Sequence, residues 1–168
     1  MTEKQITLRP FCPEDQQQIL EILTSNQVNK TYMLPDFAKI EDAIPLFNRL
    51  MNLSIDASRF VRCIALNDNP VGYLNDVEIQ DGSIELGYVI HPKFHNQGIM
   101  TDALIAAIGR LFELGYQAVV CGAFEHNKAS RRVMEKAGMQ LIDKTEDIEY
   151  RGKTHLCVFY RITNNQEG

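Results

Sequence analysis

The segment that decides the fold is residues 85–104, which read ELGYVIHPKFHNQGIMTDAL. It opens with the alternation of a β-strand, continues through a polar turn containing Gly98, and enters a helix that we predict over residues 101–114. The first amide groups of a helix have no partner within it, and the helix dipole is positive at that end. The segment therefore predicts a cradle for an anion such as pyrophosphate, where Gly98 lets the backbone approach closely. An ordinary strand-to-helix connection is the alternative interpretation of this segment taken alone.

Ahead of this segment, the sequence predicts one strand, two helices and three antiparallel strands. A short strand covers residues 6–9, and a helix starts at the acidic turn that follows Pro13. Apolar residues at helical spacing predict a second helix up to about Ser54. The pattern then alternates between residues 60 and 90, and Asp81-Gly82 is typical of a tight hairpin turn.

Behind the segment, the sequence predicts a strand, a helix and two further strands. Residues 118–123 are wholly apolar, which is typical of a strand buried on both faces. A helix over residues 127–137 ends at Gly138, the last strands are 140–149 and 154–163, and a polar tail begins at about residue 164. This order predicts an α/β fold in one domain over residues 1–168, with a mixed, mostly antiparallel sheet and flanking helices.

The composition argues against several function classes. The 168 residues carry 17 basic and 22 acidic side chains, a net charge of −5, which argues against a nucleic-acid partner. No apolar stretch approaches the ~18 residues of a membrane span, and the N-terminal residues have no signal-peptide pattern. The four cysteines lack metal-ligand spacing, so we expect free thiols, no metal and a cytoplasmic location. The sequence leaves open whether the protein is a monomer or a homodimer.

A second motif follows the apolar strand and reads NKASRRVMEKAG over residues 127–138. Asn127 is a favourable N-cap and Gly138 a favourable helix terminator, so part of this pattern is helix capping. Together with the turn at Gly98, the motif resembles the GCN5-related N-acetyltransferase (GNAT) superfamily. The superfamily's first motif, Gln/Arg-x-x-Gly-x-Gly/Ala, corresponds here to HNQGIM, in which His95 and Met100 depart from the pattern. The second motif, Asn-x-x-Ser-x-x-Val-x-Glu-Lys-x-Gly, matches residue by residue.

The resemblance covers residues 6–162 and implies both a fold and a reaction. It implies a central pair of parallel strands, the fourth and fifth, that separate to admit the pantetheine of acetyl-CoA. It also implies direct transfer of acetyl from acetyl-CoA to an amine within a ternary complex, with the backbone amide of Val89 polarising the thioester carbonyl. The residues that the resemblance assigns to acetyl-CoA binding are Val89, Ile90, Asn96, Gln97, Gly98, Ile99, Met100, Thr101, Asn127 and Ser130.

Three details resemble the branch that acetylates the N-terminal α-amines of ribosomal proteins: ELGY at residues 85–88, HNQGI at residues 95–99, and Ser130. Many GNAT members carry a Tyr seven residues after the motif's Asn, as proton donor to the departing thiolate. That position here is Met134, and the resemblance gives the role to Ser130. The base of this branch corresponds to Glu149, while Glu85 is a second candidate from its place in the fourth strand. For both carboxylates, an exposed or solvated position without a role is the alternative interpretation.

Three other functions stay open at this point. The same chemistry could act on a small-molecule amine or an antibiotic instead of a protein or peptide N-terminus. A non-catalytic acyl-CoA-binding module is the second alternative, for which the absent Tyr argues. A nucleotide-binding protein that uses the Gly98 turn ranks last, because the turn has neither Gly-Lys-Ser/Thr nor G-x-G-x-x-G.

Overall fold

The computed structural model describes residues 4–165, in which seven strands form a sheet in the order β1-β2-β3-β4-β5-β7-β6. The strands are β1 (Ile6–Arg9), β2 (Val61–Leu66), β3 (Asn69–Gln80), β4 (Ser83–Ile90), β5 (Ala118–Phe124), β6 (Gln140–Tyr150) and β7 (Lys153–Thr163). The helices are α1 (Gln16–Leu23), α2 (Ile44–Ser54), α3 (Ile99–Glu113) and α4 (Lys128–Lys136). The predicted α/β class and mostly antiparallel sheet are confirmed. The end of the predicted polar tail, residues 166–168, lies outside the described residues.

The parallel pair of the sheet consists of β4 and β5. Their register runs from Ser83 opposite Ala118 to Leu86 opposite Cys121, and it stops before either strand ends. The pairs β1/β2, β2/β3, β5/β7 and β6/β7 are antiparallel. Parallel neighbours need a crossover connection, and the chain from the end of β4 through α3 to β5 supplies it.

Two elements differ from their predicted form. Helix α3 begins at Ile99, two residues before the predicted start, because Gly98 ends the preceding turn with φ +76° and its carbonyl already accepts the amide of Asp102 at 3.1 Å. Strand β5 is not buried on both faces. Val120 and Gly122 are half-buried, while their neighbours along the strand are buried. The apolar sequence of β5 does not show that one of its faces is only partly covered.

The chain divides into two compact units, of which the first combines the described residues up to Asn75 with Tyr88–Ala103. Its core is built on aromatic rings. The Phe11 ring lies 6.1 Å from Phe47 and 6.0 Å from Tyr73, both edge-on, a favourable aromatic geometry. Aliphatic residues that complete this core are Ile19, Leu20, Ile22, Leu23, Val28, Leu34, Ala43, Leu50, Val61 and Val89.

An ion pair joins β1 to the turn before α1 in the same unit. Two nitrogens of Arg9 donate to the two carboxylate oxygens of Asp15, each at 2.8 Å, and the Cys12 amide donates to Asp15 at 2.9 Å. Burial by itself would raise the pKa of Asp15, but the hydrogen bonds from Arg9 and Cys12 outweigh it and lower the pKa. The pair therefore holds a buried carboxylate in its charged form.

The second unit consists of Asp76–Gly87 and the chain from Leu104 onward. Its strand register defines two faces, because paired residues share a face and successive residues alternate. Ile84, Leu86, Val119, Cys121 and Tyr160 share the first face, called here the Tyr160 face, and each is at most 2% exposed. Helix α4 contacts this face, since Arg131 Nε donates to the Tyr160 hydroxyl at 3.1 Å.

The opposite face of the second unit, called here the Glu85 face, carries Glu85, Val120, Gly122, Phe124, His155, Cys157 and Phe159. It mixes buried rings with half-buried and polar positions, whereas the five residues named on the Tyr160 face are apolar apart from the tyrosine hydroxyl. The four cysteines of the chain are free thiols, as the sequence predicts. Within residues 4–165, no helix has the length and apolar character needed to cross a bilayer.

A close approach of two strands makes Gly72 sensitive to substitution. A Cβ at this position would overlap the carbonyl oxygen of Val89 and lie 2.9 Å from Ile90 Cα. We expect Gly72→Ala to lower the free energy of unfolding by about 1–3 kcal/mol through overpacking. Gly109→Ala is the matched control: its Cβ would have no contact within 4 Å, and it should stabilise α3 by about 0.5–1 kcal/mol. Denaturant unfolding measures both, and equal stability of the two variants would contradict the close approach.

Candidate active site

The turn before α3 has the geometry of an anion cradle. Asn96 and Gly98 take left-handed φ angles of +61° and +76°. Apart from the glycine's chain neighbours, no atom lies within 4 Å of where a Gly98 Cβ would stand. Gln97 Nε2 donates to the carbonyl of Lys93 at 3.1 Å and closes the turn on itself. Since the 15-residue helix α3 follows directly, its positive dipole end and the open space at Gly98 together fit a phosphate group.

The backbone of this turn, more than its side chains, is available to an anion. Ile99 and Met100 are buried at 1% and 6% exposure, so their side chains belong to the core and their amides are what they offer a ligand. Thr101 is half-buried, whereas Asn96 and Gln97 are exposed. The predicted binding residues of the turn therefore lie next to one another in the first unit. Some offer a ligand only their backbone amides, whereas others also offer exposed side chains.

The end of β4 leads into this turn and is fixed by β3. Val89 and Ile90 are buried at 7% and 8% exposure. The His91 amide donates to the carbonyl of Val71 at 2.7 Å, at the point where β4 passes close to Gly72. The backbone amide that the sequence assigns to the thioester carbonyl, that of Val89, thus belongs to a tightly packed strand end.

The start of α4 forms a second candidate position. Asn127 is the N-cap, as the capping pattern predicts, and its Oδ1 accepts the amide of Ser130 at 3.2 Å. The Asn127 amide in turn donates to the carbonyl of Phe124 at 2.8 Å, which ties the helix start to β5. Ser130 is half-buried in the first turn, and Met134 is completely buried. The position at which many GNAT members carry a Tyr thus belongs to the core in this chain.

The register separates the two carboxylates that the sequence offers as bases. Glu85 pairs with Val120 and lies on the Glu85 face. Glu149 pairs with Thr154, one position along from the pair Ile148 and His155, so it lies on the opposite side of the β6–β7 hairpin and is exposed. Because the two carboxylates lie on opposite faces of the second unit, they do not share one local environment.

A pocket of about 320 Å³ surrounds Glu85 on its face of the second unit. Its lining is mostly charged and polar: Glu78, Gln80, Asp81, Ser83, Glu85, Val120 and Lys144. Burial raises the pKa of Glu85; the ammonium of Lys144 opposes this, and the carboxylates of Glu78 and Glu146 add to it. Lys144 lies 4.3 Å from the ring of Phe159, so its cation also interacts with an aromatic face. Glu85 is therefore poised to hold a proton more tightly than an ordinary glutamate.

One contact in the second unit, between His126 and His155, belongs to none of the sequence motifs. The two rings lie next to Phe124 at the end of β5, and His126 Nε2 is 3.3 Å from His155 Nδ1. The residues are 29 positions apart, and neither belongs to a recognisable motif. Only the antiparallel pairing of β5 with β7 brings them together, so no local pattern indicated them.

Comparison with known proteins decides the family. The family model of the acetyltransferase (GNAT) domain matches residues 5–140. The chain belongs to the GNAT acetyltransferase family. It is therefore an acetyl-CoA-dependent acyltransferase, and the resemblance drawn from the residue 95–100 and 127–138 motifs is confirmed.

Individual GNAT relatives are distant. YnaD of Bacillus subtilis (strain 168), an uncharacterized N-acetyltransferase, is 26% identical over 142 residues, which are 83% of this chain and 82% of that protein. RimL, a ribosomal L7/L12 alpha-N-protein acetyltransferase solved with coenzyme A, superposes with a TM-score of 0.83 at 19% identity, covering 94% of this chain and 93% of that one. The spermidine N-acetyltransferase from Vibrio cholerae, solved with CoA and spermine, gives 0.79 at 16% identity, covering 95% of both. These structural likenesses show the GNAT fold.

The residues of this GNAT protein fit an organic co-substrate. Among residues 4–165, no group of three or more His, Cys, Asp or Glu side chains is arranged to hold a metal ion. The turn at Gly98, by contrast, combines open space with a helix start, as a pyrophosphate requires.

The raised pKa of Glu85 predicts a pH-dependent effect on stability. A carboxylate whose folded pKa lies above its unfolded value costs stability as the pH rises from about 4.5 through the folded pKa. Glu85→Gln removes that cost, so its Tm should equal the wild-type Tm at pH 4 and exceed it at pH 7. Glu149→Gln, which removes an exposed carboxylate, should show no such pH-dependent gain. Thermal melts at both pH values test this, and a Glu85→Gln variant less stable than wild type at pH 7 would contradict it.

Proposed function

We propose that this enzyme acetylates the N-terminal α-amine of a protein, with a ribosomal protein as the acceptor class, by direct transfer from acetyl-CoA in a ternary complex. The observation that carries the acetyl-CoA part of the proposal is the turn at Gly98, whose open space and helix start suit a pyrophosphate next to the end of β4. The residues proposed to contact acetyl-CoA are Val89, Ile90, Asn96, Gln97, Gly98, Ile99, Met100, Thr101, Asn127 and Ser130. The β4–β5 register, which stops at Leu86 and Cys121, supports the separation of strands that admits pantetheine.

Two features favour an α-amine acceptor. The Ser130 pattern resembles the ribosomal-protein branch, and RimL shares the fold over nearly the whole chain. An amine must also be neutral to attack a thioester. Deprotonation at pH 7 costs about 1 kcal/mol for an α-amine but about 4.6 kcal/mol for a lysine. A site with modest basic groups therefore suits an α-amine better than a lysine side chain.

A small polycationic amine is the second candidate acceptor. The pocket at Glu85 is lined by three carboxylates, Glu78, Asp81 and Glu85, against one ammonium, Lys144. Excess negative charge favours a cationic ligand, and a spermidine N-acetyltransferase shares the fold.

The four free thiols fit a reducing compartment, so we place either reaction in the cytoplasm.

The catalytic groups that we propose divide the proton transfers between them. Ser130, in the first turn of α4, donates a proton to the departing thiolate through its hydroxyl group. Met134, at the position where many GNAT members carry the proton-donating Tyr, has no proton to donate. Glu85 or Glu149 accepts the first proton of the acceptor ammonium. Glu85 has the environment of a general base, since burial raises its pKa towards the working pH. Glu149 has the position that the resemblance assigns. The Val89 amide polarises the thioester carbonyl.

The acceptor class is tested by a transfer assay. Purified enzyme with acetyl-CoA is offered a peptide with a free N-terminus, the same peptide with a blocked N-terminus, and spermidine, and CoA release is followed with product mass. We expect acetylation of the free peptide at its α-nitrogen and none of the blocked one. Acetylation of spermidine without acetylation of the peptide would contradict an α-amine acceptor and favour a small polycationic amine.

The cofactor site is tested at Gly98. Gly98→Val places a β-branched side chain in the space of the anion and in a left-handed conformation that such residues disfavour. We expect CoA affinity, measured by calorimetry, to fall at least tenfold while helix content by circular dichroism is kept. Pantetheine, which lacks the pyrophosphate, serves as a control ligand, and its affinity should change much less. Unchanged CoA affinity would remove the main support for the site.

The proton donor is tested at Ser130. Ser130→Ala should lower kcat more than it raises the KM for acetyl-CoA, because the hydroxyl acts in the transition state. A positioned proton donor raises the rate by roughly 10²–10⁴-fold. A thiol with a pKa near 8.5 leaves readily as its thiolate, so we expect an effect on kcat towards the lower end of that range. Ser130→Thr keeps a hydroxyl and should keep part of the activity. Steady-state kinetics in which Ser130→Ala changes only KM would assign Ser130 to binding instead.

A further inference from the structure

The last part of β3 has no neighbouring strand on one of its sides. The pairing of β2 with β3 ends where Val61 lies opposite Asn75, and β3 continues to Gln80. The sheet places β3 between β2 and β4, so within the described residues only β4 pairs with residues 77–80. Among residues 4–165, no loop or helix forms a backbone hydrogen bond with residues 77–80 either. We call residues 77–80 the open edge.

The turn at residues 81–82 determines which backbone groups the open edge presents. Its two residues take left-handed φ angles of +52° and +79°, as in a tight hairpin turn, so the last residue of β3 and the first of β4 form a hydrogen-bonded pair. The backbone groups of successive residues point to opposite sides of a strand. Glu78 and Gln80 therefore turn theirs towards β4, whereas Val77 and Ile79 turn theirs away from it. The open edge thus offers the amides and carbonyls of Val77 and Ile79 to a further strand.

The side chains of the open edge differ between its two faces. Val77 is 59% exposed and Ile79 is 42% exposed, and both lie on one face because they alternate with Glu78 and Gln80. Glu78 and Gln80 line the pocket at Glu85 on the other face. The open edge contains neither a Lys nor a Pro, the residues with which many proteins block an exposed edge. An added strand would therefore meet apolar side chains on one face and polar side chains on the other.

The charge beside the open edge favours a basic partner. The pocket that Glu78 lines also contains the carboxylates of Asp81 and Glu85, against the single ammonium of Lys144. Oppositely charged side chains stabilise a pair of neighbouring strands, whereas like charges destabilise it. A second copy of this chain would bring the Glu78 carboxylates of two molecules together, and each molecule carries a net charge of −5. The charges therefore disfavour self-association and favour lysine or arginine side chains on the added strand.

We propose that the open edge binds an extended, basic segment of a partner protein as an additional β-strand. The segment contains no Pro and alternates Lys or Arg with apolar residues. Hydrogen bonds to the backbones of Val77 and Ile79 supply the affinity, and the carboxylates on the Glu78 side select the basic residues. None of the residues proposed to contact acetyl-CoA belongs to the open edge. The inference therefore goes beyond the proposed function, and its test needs no acetyl transfer.

The test measures backbone amide hydrogen exchange by NMR in the full-length protein, alone and with millimolar concentrations of peptides whose ends are blocked. The first peptide alternates lysine and valine, and the second alternates glutamate and valine. The third is the lysine peptide with N-methyl groups on its interior amides, which can no longer donate to a neighbouring strand.

In the free protein we expect faster exchange at Val77 and Ile79 than at Glu78 and Gln80, because only the amides of Glu78 and Gln80 donate to β4. The lysine peptide should slow exchange at Val77 and Ile79 at least about threefold and leave Glu78 and Gln80 unchanged, and the other two peptides should have no such effect. Glu78→Lys should abolish the response to the lysine peptide. Glu135→Lys, which makes the same charge change at an exposed position of α4, should keep it.

Each outcome decides the inference. Protection by the lysine peptide alone, lost in Glu78→Lys and kept in Glu135→Lys, supports it. Equal protection by the glutamate peptide, or protection that Glu78→Lys retains, shows an edge without charge selection. Equal protection by the N-methylated peptide shows side-chain contact without strand addition. Each of these results overturns the inference, and so does the absence of protection by any peptide.

The free protein provides a further control. Slow exchange at Val77 and Ile79 that does not depend on protein concentration would show that the chain itself covers the open edge. Slow exchange that increases with protein concentration would show that a second copy occupies it. Either result overturns the inference. If Glu78→Lys does not fold, the comparison of the three peptides on the wild-type protein decides the test.

Discussion

The parallel pairing of β4 with β5 is the constraint on which the rest of the structure depends. Two parallel neighbours cannot be joined by a hairpin, so the chain must leave the end of β4, cross over in α3 and return at Ala118. That crossover requires a connection that leaves the end of a strand and starts a helix, here residues 91–98. The turn at Gly98 meets the requirement with a left-handed glycine, and it is also the proposed site of the CoA pyrophosphate. The connection that the topology needs and the proposed binding site therefore lie in one segment.

The same pairing fixes the faces of the second unit. Once Glu85 pairs with Val120, the alternation carries through Gly122 and Phe124 on β5 to Phe159, Cys157 and His155 on β7. On the side that α4 contacts, β4 and β5 present the buried apolar residues Ile84, Leu86, Val119 and Cys121, whereas the other side carries Glu85, whose pKa is raised, and the contact between His126 and His155. Charged groups that an apolar core could not accommodate thus gather on the side of the sheet that is only partly covered.

Local signals in the sequence account for most of the fold. The predicted hairpin turn forms at Asp81-Gly82, where both residues take left-handed φ angles, and Asn127 and Gly138 bound the predicted helix. Each of these residues acts through its own backbone or side chain within a few positions. The motifs at residues 95–100 and 127–138 are equally local, and they were enough to indicate the family.

What the sequence could not give depends on long-range pairing. Strand β6 is exposed along most of its length and has few apolar residues, so its composition does not tell which face Glu149 occupies; the register with β7 does. The half-buried face of β5 is hidden for a similar reason, since an apolar strand looks the same whether one face or both are covered. The contact between His126 and His155 joins the turn after β5 to strand β7, and it has no sequence signature at all.

The central claim is that the backbone before and at the start of α3 receives the pyrophosphate of CoA. The most direct measurement is the change in backbone amide chemical shifts when CoA, and separately pantetheine, is added to isotope-labelled protein. The account predicts that CoA shifts the amides of residues 97–101 strongly and that pantetheine, at equal saturation, leaves them nearly unchanged, because only CoA carries the anion. Saturation with CoA that leaves those amides unmoved would contradict it.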